Sequence, residues 1–189
     1  MNKAELRKRI LEKRASLSIE QKCDLLQKVI DHLNEFDFSK IEYVHIYLPI
    51  KKKNEIDTFP IIRFLKLLKP SIKIVIPKSD FKTFEMINVL YNEHTILAEN
   101  TYGILEPANG EEIKNDKIDM VICPLLSFDK LGFRVGYGKG FYDRFLNQCR
   151  TNVIKIGLSY FEPEEKIEDI NAYDVQLNYA ISPSRLWKF

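Results

Sequence analysis

Short apolar segments that each end at a proline constrain the fold of this chain more than any other sequence feature. They are rich in β-branched and aromatic side chains, and such segments are typical of buried strands. Proline cannot donate a ladder hydrogen bond, so we predict that each strand stops there. The segments are residues 43–48, 72–76 and 120–123, and they are followed by Pro49, Pro77 and Pro124.

Helical patterns alternate with these strands. Ser18 and Gln21 have the spacing of a capping box between the first two helices, and Asp57 or Thr58 caps a third helix, with Pro60 in its first turn. The predicted helices cover residues 3–15 and 19–34, a segment that ends near residue 68, and residues 140–149. Residues 84–90 and 153–159 add two strands. We therefore predict an α/β fold: one open, largely parallel sheet flanked by helices in a Rossmann-like three-layer arrangement.

Length and composition limit the classes of function. A chain of 189 residues is the usual size of one domain, so we expect a single domain over residues 1–189. A net charge of +2 argues against a general nucleic-acid binder. We also expect no membrane partner, because no apolar run approaches the ~20 residues of a spanning helix. The three cysteines are far apart without a CxxC pair, which favours a reducing cytoplasm over a disulfide framework or zinc site.

Residues 129–143, DKLGFRVGYGKGFYD, carry the densest chemical signal, and we call them the glycine segment. They hold four of the seven glycines and lie between a predicted strand and a predicted helix. Backbone N–H groups at such a turn can approach an anion closely, and Arg134 and Lys139 add positive charge. The segment matches neither the P-loop nor the dinucleotide fingerprint. An anion site is the favoured interpretation, and a flexible strand–helix turn is the alternative.

Other polar residues allow two interpretations each. Asp143, in the first turn of the following helix, is either a partner of the helix dipole or a Mg²⁺ ligand beside phosphates. The side chains of Lys3, Arg7 and Arg14 lie within about 40° of one another on a helical wheel. This cationic stripe is either a solvated face of the helix or a clamp for phosphate. Glu55 could accept hydrogen bonds from a ligand ring. His45, inside a strand, is expected to be a core or wall residue rather than a base.

The glycine segment closely resembles the signature of the 5-formyltetrahydrofolate cyclo-ligase family, roughly R-x-G-x-G-x-G-Y-Y-D. Weaker matches extend over nearly the whole chain, at residues 3–7, 54–58, 102–107, 121–132 and 173–175. Three residues depart from the family pattern. Phe141 replaces the first tyrosine of the signature, Tyr173 replaces a histidine, and Asn178 stands where a second acid is often seen.

The resemblance implies an ATP- and Mg²⁺-dependent ring closure of 5-formyltetrahydrofolate to 5,10-methenyltetrahydrofolate, with release of ADP and phosphate. Transfer of the γ-phosphoryl group to the formyl oxygen would form an imidate phosphate, which N10 then attacks. Positioning and electrostatics would dominate, as in other phosphoryl transfers. The resemblance also implies that the partners are 5-formyltetrahydrofolate and ATP, and we expect a monomer in the cytoplasm.

The resemblance assigns roles residue by residue. ATP would bind to the N-terminal residues and the glycine segment: Lys3, Ala4, Glu5, Leu6, Arg7, Arg134, Val135, Gly136, Tyr137, Gly138, Lys139, Gly140, Phe141 and Tyr142. The folate would contact Leu48, Glu55, Tyr102, Tyr137, Gly138, Lys139, Gly140 and Phe141. The catalytic residues would be Lys139, Arg134 and Tyr142, and the Mg²⁺ ligands would be Asp143 and Asp174.

Two other classes of function fit a chain of this kind. An isomerase or acyl/CoA-transferase can use a similar open α/β scaffold, since fold does not determine function, and it would need no ATP. A nonenzymatic nucleotide- or RNA-binding module could use the basic N-terminal helix, and its binding would depend steeply on salt.

Overall fold

The computed structural model describes all 189 residues, and its centre is a seven-stranded sheet. The helices are α1 Lys3–Ser16, α2 Ile19–Leu33, α3 Phe59–Leu68 and α4 Phe141–Gln148. The strands are β1 Tyr43–Ile46, β2 Lys73–Asp80, β3 Glu85–Tyr91, β4 Leu97–Glu99, β5 Leu105–Pro107, β6 Met120–Cys123, β7 Ser127–Phe128, β8 Arg134–Val135, β9 Ile154–Leu158, β10 Tyr179–Ile181 and β11 Leu186–Lys188. Short 3₁₀ helices cover Lys51–Lys53 and Asn115–Lys117.

The order of strands in the sheet is β11-β10-β9-β6-β1-β2-β3. The five inner strands run parallel, and β11 and β3 pair antiparallel at the two edges. Two small sheets, β4 with β5 and β7 with β8, lie outside it. The predicted open, largely parallel sheet is therefore confirmed, and its parallel strands bring several carboxyl ends to one edge.

Helices cover both faces of the sheet. On one face, Val44 and Ile46 of β1 belong to the core cluster that contains Val29 of α2 and Ile61 of α3. On the other face, residues of β6 pack in a second cluster with Phe145 of α4. The layers are helix, sheet and helix, as the alternating pattern predicts. None of the helices combines the length and the apolar character that crossing a membrane requires.

The prolines do not all end strands. β1 and β6 stop before Pro49 and Pro124, but β2 continues through Pro77 to Asp80, so the prediction for Pro77 is wrong. The physical reason is the change of neighbours along β2. It pairs with β1 only at residues 73–75, and from Ile76 onward its pairing is with β3 alone. A residue without an N–H group is tolerated where one side of a strand is unpaired.

The helix starts follow their capping signals. Ser18 and Gln21 exchange both hydrogen bonds of the predicted capping box. At α3, the Asp57 carboxylate accepts from the Phe59 amide at 3.0 Å, while the Thr58 hydroxyl donates to the Tyr47 carbonyl at 2.6 Å. Asp57 is thus the side chain that serves the start of α3, and Thr58 ties the helix to the chain after β1.

The helix α1 packs across the glycine segment. Leu6 of α1 is fully buried in a small cluster with Val135 of β8 and Ile167. The hairpin β7–β8 precedes the run of glycines and was not predicted, nor were β4, β5, β10 and β11. Strands of two or three residues carry too little periodicity to be read from sequence.

We expect Gly157→Ala to destabilise the fold. A Cβ on Gly157 of β9 would overlap Leu125 Cδ2 and would lie 2.8 Å from Leu177 Cδ1, and both leucines are buried. Such overpacking costs about 1–3 kcal/mol. The matched control is Gly136→Ala, because a Cβ on Gly136 would meet no atom within 4 Å. Urea unfolding should show a lower free energy of unfolding for Gly157→Ala only. An equal decrease in both variants would contradict the packing argument.

Candidate functional site

A large cleft opens at the carboxyl ends of β1 and β6. Its volume is about 1050 Å³. Seven parts of the chain line it: α1, the residues after β1, the region of the β2–β3 hairpin, residues 102–106, residues 124 and 126 after β6, the glycine segment with the start of α4, and residues 169–174. In an open α/β sheet, this edge is where ligands bind. The predicted site residues that line the cleft are Lys3, Arg7, Leu48, Glu55, Tyr102, Arg134, Gly136, Tyr137, Gly138, Lys139, Gly140, Phe141, Tyr142, Asp143 and Asp174.

Four residues of the predicted ATP site are not among the lining residues. Leu6 and Val135 are buried against each other in the core below the cleft. Ala4 is exposed, and the Glu5 carboxylate accepts from the Asn2 amide in the capping box of α1. These four residues build and position the first helix and β8, whereas Lys3 and Arg7 reach the cleft.

Residues 136–140, which we call the glycine loop, form one wall of the cleft. Gly138 and Gly140 have φ angles of +87° and +70°, which other residues adopt only with strain. Gly140 is also the N-cap residue of α4, and the Arg144 guanidinium donates to the Lys139 carbonyl at 2.9 Å. The hydrogen bond from Arg144 therefore fixes the backbone of the loop, while the exposed Lys139 side chain lines the cleft.

The N-terminal helix contributes positive charge to the glycine loop. Arg7 Nε donates to the Gly136 carbonyl at 2.8 Å, and the Arg7 guanidinium would lie 3.4 Å from a Cβ on Gly138. The sequence left open whether the Lys3–Arg7 stripe is a solvated face or lies near the loop. In the structure it lies against the loop, and Lys3 is itself buried.

Both predicted metal ligands form ion pairs with predicted phosphate-binding residues. Asp143 Oδ1 accepts from Arg134 at 2.8 Å and from the Val175 amide at 3.1 Å. Asp174 Oδ2 accepts from Lys3 Nζ at 2.5 Å and from the Asn171 amide at 2.7 Å. In each carboxylate these bonds use one oxygen and leave the second for another ligand.

The fit to Mg²⁺ rests on these two carboxylates alone. No cluster of three or more His, Cys, Asp or Glu side chains converges in the structure. A site built only from protein ligands is therefore not present. Magnesium commonly binds through one or two carboxylates together with waters and substrate phosphates, and the residues present fit that mode.

A buried polar group lies at the deep wall of the cleft, where Tyr137 of the glycine loop meets Glu55 and Arg14. Glu55 accepts from the Ile50 amide at 2.6 Å and from the Tyr137 hydroxyl, and burial raises the pKa of its carboxyl. Arg14 is almost fully buried, and it donates to the Leu125 carbonyl at 2.5 Å and to Tyr137 Oη at 3.3 Å. Burial, with the Glu55 charge nearby, raises the pKa of the Tyr137 hydroxyl. Arg14 was outside the predicted site residues, although it belongs to the same cationic stripe.

Aromatic side chains line the mouth of the cleft. Phe81 and Tyr102 stack with ring centroids 4.1 Å apart, and Phe81 packs edge-on against Phe141 at 5.1 Å. Phe81 lies at the turn between β2 and β3, a segment in which no motif marks it as a site residue. Only the folded chain brings it to Tyr102 and to Phe141 of α4.

The residues that depart from the family pattern lie in different environments. Phe141 lines the cleft within the aromatic group, and Tyr173 lines it with an exposed side chain. The Asn178 side chain accepts from the Lys155 amide at 2.9 Å. Asn178 therefore holds the start of β10 to β9 and does not line the cleft.

Comparisons with known proteins point to one family. The 5-formyltetrahydrofolate cyclo-ligase family model matches residues 1–182 of the chain. The chain is 34% identical over 186 residues to a 5-formyltetrahydrofolate cyclo-ligase of Mycoplasma pneumoniae, covering 96% of this chain and 99% of that protein. It is 30% identical over 154 residues to the enzyme of that name from Mus musculus, covering 78% of this chain and 72% of the mouse protein.

Solved structures agree with the sequence comparisons. The NMR structure of a 5,10-methenyltetrahydrofolate synthetase from Aquifex aeolicus has a TM-score of 0.82 and 32% sequence identity, covering 100% of this chain and 93% of that chain. The structure of a 5,10-methenyltetrahydrofolate synthetase from Mycoplasma pneumoniae has a TM-score of 0.75 and 34% sequence identity, covering 96% of this chain and 98% of that chain. The similarity extends over the whole fold and includes the glycine segment.

We expect the stability of the protein to fall on acidification because of His45. Burial lowers the pKa of His45 to about 4, from the ordinary value of 6.5. Between these values the unfolded chain binds a proton that the folded chain does not, so the free energy of unfolding decreases as the pH falls. The shift corresponds to on the order of 3 kcal/mol.

The measurement is urea unfolding of the protein and of His45→Phe at several pH values between 4 and 7. Subtracting the two profiles removes the contribution of other groups, including Glu55. The difference should grow as the pH falls below about 6.5, and parallel profiles would contradict the assignment.

Proposed function

Because the chain belongs to the 5-formyltetrahydrofolate cyclo-ligase family, we propose that it converts 5-formyltetrahydrofolate to 5,10-methenyltetrahydrofolate with consumption of ATP and a need for Mg²⁺. The relatives named above support the folate conversion. The dependence on ATP and Mg²⁺ is supported by the chemistry of the cleft. A cytoplasmic location, a monomeric state and a single-domain organisation remain predictions.

One observation carries the proposal: the first helix and the glycine loop form a single cationic, amide-rich wall. Arg7 contacts the loop at the Gly136 carbonyl, and Lys3, Arg134 and Lys139 line the same cleft. Phosphate oxygens are bound well by backbone amides at a loop before a helix and by lysine and arginine. We therefore place the triphosphate of ATP against this wall.

The folate would lie across the cleft from the triphosphate. Glu55 and Tyr137 offer paired hydrogen-bonding groups at the deep wall, which suits the polar edge of a pterin ring. Leu48 supplies an apolar wall, and the stacked Phe81 and Tyr102 offer aromatic faces at the mouth. The reacting formyl group would then lie near Glu55, beside the glycine loop.

The reaction needs positioning rather than a protein nucleophile. The formyl oxygen attacks the γ-phosphorus, the bond to ADP breaks, and an imidate phosphate forms on the substrate. The N10 amine then attacks the formyl carbon and loses its proton, and phosphate leaves with the former formyl oxygen. Lys139 and Arg134 stabilise the charge that develops on the transferring group, and Tyr142 helps to orient it.

Magnesium bound beside the phosphates would neutralise charge on their oxygens. Asp143 and Asp174 would hold it through their free oxygens, directly or through water. Their other oxygens stay bonded to Arg134 and Lys3, which keeps both carboxylates oriented toward the cleft.

The proposed function is tested by mixing the purified protein with 5-formyltetrahydrofolate, Mg²⁺ and ATP and recording the ultraviolet absorbance of the methenyl product. We expect product formation that requires ATP and releases phosphate in equal amount. Omitting ATP or adding a metal chelator should stop it. An absence of ATP-dependent product over a range of pH values would reject the proposal.

Lys139→Ala should slow turnover by roughly 10²-fold, because it removes a cation that stabilises the transferring phosphoryl group. The side chain is exposed, so the free energy of unfolding should change by less than about 0.5 kcal/mol. Lys114→Ala is the matched control, since Lys114 is exposed and does not line the cleft. Wild-type kinetics for Lys139→Ala would remove this residue from the site.

Asp143→Asn should raise the Mg²⁺ concentration that gives half-maximal rate by roughly tenfold, because an amide binds the cation less well than a carboxylate. The control is Asp116→Asn, an exposed residue of the 3₁₀ helix Asn115–Lys117. Rates titrated against Mg²⁺ at saturating ATP give the comparison. An unchanged titration for Asp143→Asn would count against its role as a ligand.

A further inference from the structure

His45 is a fully buried polar residue that the proposed reaction does not use directly. It lies in β1 between Val44 and Ile46, and its side chain faces α4 on the opposite side of the sheet from theirs. Its Nε2 lies 3.1 Å from the Tyr142 hydroxyl, and its Nδ1 lies 2.9 Å from Asn88 Oδ1. The imidazole thus joins a residue of the cleft to the interior of the sheet.

The surrounding hydrogen bonds determine which nitrogen carries the proton. Asn88 Nδ2 donates to Asn115 Oδ1 at 2.6 Å, and Asn115 Nδ2 donates to Gln148 Oε1 at 3.0 Å. Asn88 Oδ1 is therefore the acceptor for His45 Nδ1–H. In a neutral imidazole the other nitrogen is then an acceptor, so the Tyr142 hydroxyl donates to Nε2.

This network connects both ends of α4 to the sheet. Tyr142 is in the first turn of α4, and Gln148 is its last residue. Between them the hydrogen bonds run through β1, β3 and the 3₁₀ helix at residues 115–117. The His45–Asn88 part of the network is buried, whereas the Asn115–Gln148 bond at its other end is exposed. Satisfied buried hydrogen bonds hold their partners in a unique geometry, and here the group held at the cleft is the Tyr142 ring.

We propose that His45 is a positioning residue for the reaction, one that holds the Tyr142 hydroxyl as a donor toward the sheet and so orients Tyr142 in the cleft. The inference rests on the proposed function, because it concerns the turnover of the same site. It implies that Tyr142 acts through its orientation and not as a proton donor to substrate, since its proton is used in the bond to His45.

Two conservative variants separate the two ends of the imidazole. His45→Asn places an amide near the position of Nδ1 and keeps a partner for Asn88. His45→Gln reaches the position of Nε2 and keeps an acceptor for Tyr142. We expect His45→Asn to lower kcat about three- to tenfold and His45→Gln to stay within about twofold, with the KM for ATP unchanged in both. Equal losses of kcat would show a merely structural role and overturn the proposal.

A double-mutant cycle tests whether His45 acts through Tyr142. Tyr142→Phe removes only the hydroxyl, so His45→Asn should cause no further loss of kcat in that background. The same fold loss in both backgrounds would overturn the proposal. Tyr91→Phe, at the end of β3 and outside the cleft lining, is the control background in which the full loss should remain.

A measurement on the unmodified protein covers the case in which these variants fail to fold. The ¹⁵N shifts of the His45 ring at neutral pH should show a protonated Nδ1 and an unprotonated Nε2. The opposite tautomer would overturn the proposal. If the wild-type protein shows no ATP-dependent turnover, the proposed function fails and this role fails with it. Turnover without coupling between His45 and Tyr142 overturns the role of His45 alone.

Discussion

The packing of α1 against β8 is the interaction on which the cleft depends. Leu6, Val135 and Ile167 exclude water at this contact, and Arg7 adds a hydrogen bond to the Gly136 carbonyl. Burial of such side chains contributes roughly 1.5–3 kcal/mol each, far more than an exposed ion pair. An apolar contact therefore brings the N-terminal cations to the carboxyl ends of the strands, where the glycine loop begins.

Charge in the cleft is arranged in pairs of opposite sign. The buried Arg134 pairs with the half-buried Asp143, and the buried Lys3 pairs with the half-buried Asp174, whereas Lys139 is exposed at the opening. A buried charge without a partner is costly, so these pairs keep four charged groups in place within a partly enclosed cleft. The pairs hold both carboxylates and both cations near the glycine loop, and the exposed Lys139 side chain is accessible to an anion that enters from solvent.

Local features of the sequence predicted the parts of the site that depend on residue type and spacing. Three of the four glycines, with Arg134, Lys139 and Asp143, marked one wall of the cleft, because a tight turn before a helix leaves its own pattern. Strand positions followed from short apolar runs. The prediction that β2 stops at Pro77 was wrong, because β2 pairs with both neighbours before residue 76 and with β3 alone after it. Phe81 gave no usable signal, since an aromatic turn residue has many ordinary roles. His45 was predicted only as a core or wall residue, and its burial agrees with that, but its contact with Tyr142 left no mark in the sequence.

The sequence by itself determined the class of fold, the helix caps and the glycine segment, because each arises from contacts between residues close together along the chain. The tertiary structure alone decided that Arg7 meets Gly136, that Arg14 meets Tyr137, and that His45 meets Tyr142. Those partners are separated by 129, 123 and 97 positions. Contacts over such sequence separations depend on how helices and strands pack in space, and the spacing of residues along the chain does not predict that packing.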